Sequence, residues 1–310
     1  MLPRIGAITL NTYREAVRAR VLHGLFALAL GTLGYALVVG AFAVRNTMRA
    51  VSDIGSASIS IYGIIVAVVL GATSLYRELE LKTVFPILAR PIGRGEYLTG
   101  KYVGTLVTLA VFIAANSAAL LLALGVLSGR SFAMTLGVGL GSILLVVLVG
   151  WRTPRWRSYL PIPWAVALSL VAWWFAQGAP DDRRVVLGSA LLTLCEVGIV
   201  AAIATLFSSF SSPFLTAVLT FSVFLVGRSA DTLAHLPPRV FGHTIQQMGV
   251  VLGKVVPNLM LYVPPRPLLT GAALGPSLGH YVALAAGQAL AWSVGLLAVA
   301  SLIFRRRDFL

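Results

Sequence analysis

The sequence predicts an all-α polytopic membrane protein, with an N-terminal interfacial helix and about eight transmembrane helices (six to eight). Of its 310 residues, 58% are hydrophobic and only 11% are charged, and the mean hydropathy is +0.91. Soluble domains carry about 25% charged residues, so this composition favours a membrane protein. Lipid offers no partner for backbone polar groups, so each long apolar run is predicted to be helical. A single transmembrane domain over residues 1–310 accounts for the chain.

Residues 1–20 are predicted to form an amphipathic helix on the inner leaflet. Apolar residues recur there at helical spacing, while the charged residues Arg14, Glu15 and Arg18 fall on another face. The same pattern also suits a cytoplasmic extension of the first span. These charges leave no apolar core for a signal peptide, so we expect no cleaved leader.

Eight apolar segments are predicted as spans, although two of them, 160–177 and 212–228, are short. An alternative for the region 132–177 is one broken span followed by an interfacial piece. In chain order the predicted spans are 21–44, 54–76, 102–128, 132–150, 160–177, 185–209, 212–228 and 282–304.

The distribution of Lys and Arg predicts which span ends face the cytoplasm. With the N-terminus inside, 15 of the 24 basic residues fall in inner segments and 9, including Arg228, in outer segments. Both termini and residues 77–101 are therefore expected to be cytoplasmic. Because the positive charge is spread among short loops and builds no single basic face, we expect no nucleic-acid partner.

The largest segment between spans, residues 229–281, is predicted to be extracytoplasmic. It is rich in proline, and its apolar run from Val250 to Leu261 is interrupted by Lys254 and Pro257. Such a run is too broken for a plain span, which indicates a folded cap or a segment dipping into the outer leaflet.

Two short motifs match a nucleotide-binding loop and a serine-nucleophile turn, but neither has the neighbouring residues or secondary structure that its function requires. Residues Gly95–Lys101 match the start of a phosphate-binding loop, yet Tyr102 stands where a Ser or Thr hydroxyl must reach Mg²⁺. Residues Gly275–Gly279 match GxSxG, but nothing predicts a strand before Ser277. Cys195 is the only cysteine, which excludes an internal disulfide, and the histidine spacings match no metal site.

Glu196 is the one acidic residue predicted to lie inside a span. An ionisable group at that depth is costly, so it has a functional role or a polar partner. A structural glutamate would face Asn116, Thr216 or Thr220 on another helix. A functional one would suit a stand-alone secondary carrier, although such carriers usually have more than one buried acid.

The most informative segment is the charged loop Arg77–Lys101 between two uncharged spans. Its acidic start at Glu78 and Glu80 is followed by a short apolar face, which Pro86 and Pro91 keep short. An amphipathic helix of this kind can insert into a groove on a partner protein, and an ordinary solvated loop is the other interpretation. The apolar face comprises Val84, Phe85, Ile87 and Leu88.

Four stretches of the chain, together with Glu196, resemble ABC-2 type transporter permeases, and among these permeases the nitrous-oxide-reductase maturation branch. In the loop, the pattern is Glu78-x-Glu80-x-Lys82-Thr83, then Leu88-Ala89-Arg90-Pro91-Ile92-x-Arg94, then Gly100-Lys101-Tyr102-Val103-Gly104. The opening Asn11-Thr12-Tyr13-Arg14-Glu15 with Arg18, Arg20, Val21 and Leu22 is similar to the interfacial helix of that branch. Ser208–Phe214, Glu196 and Val256–Leu259 also resemble it.

This resemblance implies a permease that binds separate cytoplasmic ABC ATPase subunits and a second permease, as a homodimer or heterodimer, in the inner membrane of a prokaryote. ATP and Mg²⁺ would bind to the ATPase, and no cofactor would bind to this chain. The implied coupling residues are Glu78, Glu80, Thr83, Phe85, Leu88, Pro91 and Arg94. Membrane lipid is the remaining expected partner, and the transported substrate is not implied. The carrier that uses Glu196 and an intramembrane hydrolase at Ser277 are the alternatives.

Overall fold

The computed structural model describes residues 2–43, 46–80, 93–234, 247–249, 251, 253, 255–272 and 277–306, and within these residues there is no strand. The 3₁₀ turns Ala176–Gly178 and Leu259–Tyr262 accompany the helices. The α-helices are α1 (Leu2–Arg18), α2 (Arg20–Phe42), α3 (Thr47–Glu80), α4 (Arg94–Leu127), α5 (Phe132–Arg152), α6 (Pro161–Phe175), α7 (Pro180–Ser208), α8 (Pro213–Ala234), α9 (Arg266–Thr270) and α10 (Leu278–Arg306).

Local sequence explains several helix boundaries. Proline is the first residue of α6, α7 and α8, where its missing amide hydrogen costs nothing. At the start of α7, Asp181 and Asp182 place negative charge beside the positive end of the helix dipole. Gly129, with φ of 101°, ends α4 because its left-handed backbone is strained for other residues.

Six of the helices in the described part of the chain are long and apolar enough to cross a membrane: α2, α3 over Thr47–Thr73, α4, α5, α7 and α10 over Leu278–Phe304. By the length and composition of these helices, the protein is a multi-pass membrane protein. The predicted spans 160–177 and 212–228 are also helical, as α6 and α8. Helix α6 has 15 residues, and the apolar part of α8 is the shorter stretch Pro213–Ser229.

The core lies between α3, α4 and α7. Their apolar stretches are 50%, 67% and 61% buried, whereas those of α2, α5 and α10 are between 6% and 17% buried. Glycine allows the closest approach: a Cβ added at Gly71 of α3 would lie 2.4 Å from the Ala204 Cβ of α7. The outer three helices thus leave wide apolar faces for lipid or another protein.

The bundle has two ends, which we call the loop end and the far end. At the loop end, α3 finishes, α4 begins, α1 packs along α4, and Arg94 contacts the carbonyl of Phe304 near the end of α10. At the far end, Ser52 of α3 meets Asp182 of α7. Both the N-terminal helix and the last turns of α10 therefore lie at the same end as the Arg77–Lys101 loop.

The described part of residues 229–281 packs against the bundle at the far end. Leu259 and Tyr262 of the 3₁₀ turn are buried, and the Tyr262 hydroxyl donates to the Ala285 carbonyl of α10 at 3.2 Å. A Cβ added at Gly227 of α8 would lie 2.8 Å from the Pro257 carbonyl oxygen. This part of the region is a folded element in contact with the helices.

Candidate functional site

A buried ion pair joins α7 to α8. The Glu196 side chain is fully buried, and two nitrogens of the Arg228 guanidinium contact its carboxylate. Arg228 donates from Nε to Glu196 Oε1 at 2.9 Å and from Nη2 to Oε2 at 3.0 Å. Such a two-pronged contact fixes the orientation of both side chains as well as their distance.

Ser60 of α3 completes this group. Its hydroxyl donates to Glu196 Oε2 at 3.3 Å and accepts from Arg228 Nη2 at 3.1 Å. We call Ser60, Glu196 and Arg228 the central network. It ties three helices together where a charge without a partner would be costly.

Sequence reasoning placed Glu196 correctly inside a helix but missed its partner. The expected partners were Asn116, Thr216 and Thr220, whereas the structure brings Arg228 and Ser60 to the carboxylate. The predicted span 212–228 ends at Arg228, whereas α8 continues past this residue to Ala234, so Arg228 lies within a helix. The signal was present in the sequence: an arginine inside an apolar helix also needs a partner.

A second ionic group lies nearer the far end. Arg266, from the first position of α9, binds Asp53 of α3 and Asp182 of α7, and its Nη1 donates to Ser52 Oγ at 3.1 Å. Ser52 in turn donates to Asp182 Oδ1 at 2.8 Å. We call these four residues the far-end network.

A cavity of about 320 Å³ lies between the two networks. Arg228 and Arg266 both line it, together with the hydroxyl side chains Ser56, Ser60, Ser189 and Thr193. Its volume falls at the lower limit of small-molecule sites, about 300 to 1,000 Å³. The lining combines these hydroxyls and paired charges with apolar side chains such as Ile61, Val185 and Leu269, so the cavity suits a small solute with both polar and apolar parts.

At the loop end, the start of α4 is held on α10. Arg94 Nη1 donates to the Phe304 carbonyl oxygen at 2.9 Å. The rings of Tyr97 and Phe304 stack at a centroid distance of 6.4 Å, and both side chains are buried. The Gly93 amide donates to Glu96 Oε2 at 3.3 Å, which caps the helix.

Helix α1 is held on the same part of α4. The Thr9 hydroxyl donates to the Gly100 carbonyl at 3.2 Å, and Tyr13 is fully buried. A Cβ added at Gly104 would lie 2.7 Å from the Thr9 carbonyl oxygen. Helix α1 therefore packs one face against the protein, whereas a helix that lay only on lipid would have no such contact.

The predicted coupling residues divide between described and undescribed parts. Glu78 and Glu80 belong to the last turn of α3, and Arg94 begins α4. Thr83, Phe85, Leu88 and Pro91 lie outside the described residues. The described flanks fix the two points from which this loop departs.

The other two motifs have structural placements. Residues Gly95–Lys101 lie within the first turns of α4, so their backbone forms a helix where a phosphate-binding loop would curl. Ser277 precedes α10, and its hydroxyl accepts from the His280 amide at 3.4 Å, as a helix cap does. The described residues contain no cluster of three metal-ligating side chains.

Comparison with known proteins does not add to this picture, since no family model and no curated protein matches the chain. The two networks, the cavity and the loop-end packing are therefore the features from which its function is inferred.

Proposed function

We propose that this protein is the transmembrane permease subunit of an ATP-driven ABC transporter of the ABC-2 type, acting in export. Its ATPase partner would dock on residues 77–101 at the loop end, which faces the cytoplasm in this proposal. The sequence resemblance motivates the proposal, and the architecture around the loop supports it.

One observation carries the most weight: α3 and α4 are both longer than a membrane span. Each has 34 residues, or about 51 Å of helix, whereas a hydrocarbon core is about 30 Å thick. The charged residues Arg77 to Glu80 and Arg94 to Lys101 occupy adjoining helix ends. The loop would thus stand clear of the membrane, where a soluble partner can reach it.

The packing of α4 suits the transmission of force. Its first turns are fastened to α10 by Arg94 and Tyr97 and to α1 through Gly100 and Gly104. A push on the loop would move these helices as a unit and would not bend the α4 terminus alone. The finer topology of the proposal has α1 on the inner leaflet and α6 and α8 as the fifth and seventh of eight spans.

Helix α3 supplies a path from the loop to the ionic networks. It runs without a break from Thr47 to Glu80 and carries Ser52, Asp53 and Ser60. When ATP binding closes the ATPase, displacement of α3 would strain the contacts of Ser60 and Asp53 with the two arginines. The cavity between the networks would then open or close in step with ATP turnover.

The test is co-purification of the permease with the ABC ATPase that its own cell supplies. Phe85→Ala combined with Leu88→Ala should weaken the association more than tenfold, because two buried anchors at an interface are worth about 2 kcal/mol or more each. The matched control is Phe221→Ala with Leu225→Ala on the exposed face of α8, which should leave the association unchanged. Unchanged association of a well-inserted loop variant would remove the loop from this role.

The stand-alone carrier remains a second candidate because a polar cavity adjoins Glu196. The pairing of Glu196 with Arg228 weakens it, since both oxygens of the carboxylate are already engaged by the guanidinium and are not free to hold a transported ion. Transport by the chain reconstituted without any ATPase, and its loss in Glu196→Gln, would favour the carrier.

A further inference from the structure

An apolar groove runs along one face of α5, between α5 and the helices α2, α4 and α6. It consists of two cavities of about 290 and 250 Å³ that share the lining residues Phe26, Ala115, Ile143 and Trp164. Helix α5 contributes to it at a spacing of three and four residues, from Phe132, Thr135, Leu136, Gly139, Leu140, Ile143, Val146 and Val147. The groove therefore follows the helix along most of its length.

The hydroxyl groups of this groove are already satisfied within their own helices. Thr108 and Thr135 donate to carbonyls one turn earlier, at 2.9 and 3.0 Å. Two other polar groups lie in the lining: His23, whose Nδ1 is 3.1 Å from the Ala19 carbonyl oxygen, and the Trp164 indole nitrogen, which has no hydrogen-bond partner in the described part of the chain. The rest of the lining is aliphatic or aromatic, so water gains little by entering. A hydrocarbon chain is the natural occupant in a membrane.

The loop end of the groove has a strong positive charge. Arg14 lies on α1 one turn before Val17, a lining residue, and its guanidinium is 5.7 Å from the centre of the Tyr159 ring, two residues before Pro161 of the lining. Arg14 and Arg18 also line a separate cavity of about 610 Å³ between α1, α3 and α4. Exposed arginines follow α5 in the turn before α6, namely Arg155 and Arg157, with Arg152 in its last turn. The one carboxylate in residues 1–20 and 147–165 is Glu15.

Aromatic residues mark the depth of this basic group. Trp151 and Trp156 are 83% and 65% exposed on either side of the end of α5. Tryptophan is favoured at the boundary between hydrocarbon and headgroups. The arginines thus lie at the level of lipid phosphates, and the groove begins just below them.

We infer that the groove holds an anionic phospholipid of the leaflet at the loop end. Its acyl chain lies along Val146, Ile143 and Phe26, and its phosphate lies among Arg14, Arg155 and Arg157. The net positive charge selects an anionic headgroup over a zwitterionic one. A transmembrane helix is about 10 Å across and too thick for cavities of this volume, which favours a lipid chain.

The experiment measures lipid retained by the full chain, purified in mild detergent, by native mass spectrometry. Phosphatidylglycerol and phosphatidylcholine with the same acyl chains are titrated separately, and we expect at least fivefold tighter binding of phosphatidylglycerol. Equal binding of the two lipids would overturn the headgroup assignment.

Charge variants test the basic group. Arg14→Gln, Arg155→Gln and Arg157→Gln together should reduce phosphatidylglycerol binding at least fivefold. The control carries the same change of charge at the far end, at Arg130, Arg183 and Arg184, and should bind as the unaltered protein does. An equal loss in both triple variants would mean general electrostatic attraction and would overturn the site.

Groove variants test the acyl chain. Val146→Trp fills the groove, whereas Leu148→Trp adds the same side chain on the opposite face of α5. Only Val146→Trp should weaken binding. Glycerophosphoglycerol and inorganic phosphate, which have no acyl chain, should not displace the lipid, and displacement by either at comparable concentration would reduce the site to a phosphate site.

Discussion

At the scale of single residues, Glu196 and Arg228 compensate each other's charge inside the helix bundle. Each side chain alone inside a helix bundle would carry a large desolvation cost. Together they form two parallel hydrogen bonds, and Ser60 takes part in a third and fourth contact. We therefore expect the pair to matter more for the unique arrangement of α3, α7 and α8 than for net stability.

Replacing one residue of this ion pair should lower the free energy of unfolding far more, per residue, than replacing both. Glu196→Ala and Arg228→Ala should each destabilise the fold by about 3 kcal/mol, since each leaves a charge without its partner. The double variant Glu196→Ala with Arg228→Ala should lose much less than the sum. Unfolding in detergent measures this cycle, with Arg184→Ala as the exposed control, and additive losses would contradict direct coupling.

Tyr13 is a residue whose burial has a measurable cost. Its side chain is fully buried on α1, and its hydroxyl finds no hydrogen-bond partner in the part of the chain that the structure describes. Burial raises the pKa of Tyr13 to about 12. The unfolded chain ionises near pH 10, whereas the folded chain keeps Tyr13 neutral up to about pH 12. The free energy of unfolding is therefore unaffected by this group below pH 10 and falls as the pH rises from 10 to about 12.

The free energy of unfolding of Tyr13→Phe at pH 7 should therefore equal that of the unaltered chain or exceed it by up to about 1 kcal/mol. The reason is that the removed hydroxyl makes no hydrogen bond in the described part of the chain. Its stability should also fall less between pH 10 and 12. Thermal unfolding across this pH range measures both effects. A clear loss of stability at pH 7 would mean that the hydroxyl does have a partner.

At the scale of elements, the contact between α1 and α4 decides how the N-terminal helix is held. The amphipathic pattern of residues 1–20 predicted a helix with one apolar face, and α1 is such a helix. The pattern could not reveal that α1 packs on α4, because a protein groove and a lipid surface look alike in a sequence. The glycines at positions 100 and 104 permit the contact.

Gly104→Ala should loosen this contact. The new methyl group would approach the Thr9 carbonyl oxygen and the Thr12 Cβ, both 2.7 Å away, and a backbone atom cannot easily move. We expect a loss of about 1 to 3 kcal/mol from overpacking, against a gain of about 1 kcal/mol in helix propensity. Gly31→Ala on α2 has no atom within 4 Å and should be neutral or stabilising. Equal midpoints of thermal unfolding for both variants would argue against close packing of α1.

At the scale of the whole molecule, orientation in the membrane follows from the two ends. The loop end gathers α1, the start of α4 and the last turns of α10, which carry many of the arginines. Since positive charge favours the cytoplasmic side, the loop end is predicted to be cytoplasmic.

Single cysteines at Gly93 and Pro265 test this orientation in a Cys195→Ser background. Both positions are exposed, Gly93 at the loop end and Pro265 beside α9 at the far end. An impermeant thiol reagent added to intact cells should label Pro265→Cys and spare Gly93→Cys, and both should react in permeabilised cells. The opposite labelling pattern would invert the topology.

The sequence by itself determined the class of the protein, the positions of the helices and the anomaly at Glu196. These follow from composition, from runs of apolar residues and from the cost of one charge in lipid, which all act locally along the chain. Only the tertiary structure decided that Glu196 meets Arg228, that α1 packs on α4, and that α5 borders a groove with a basic end. Such pairings join residues far apart in sequence, and the shape complementarity that selects them leaves no periodic trace in the sequence.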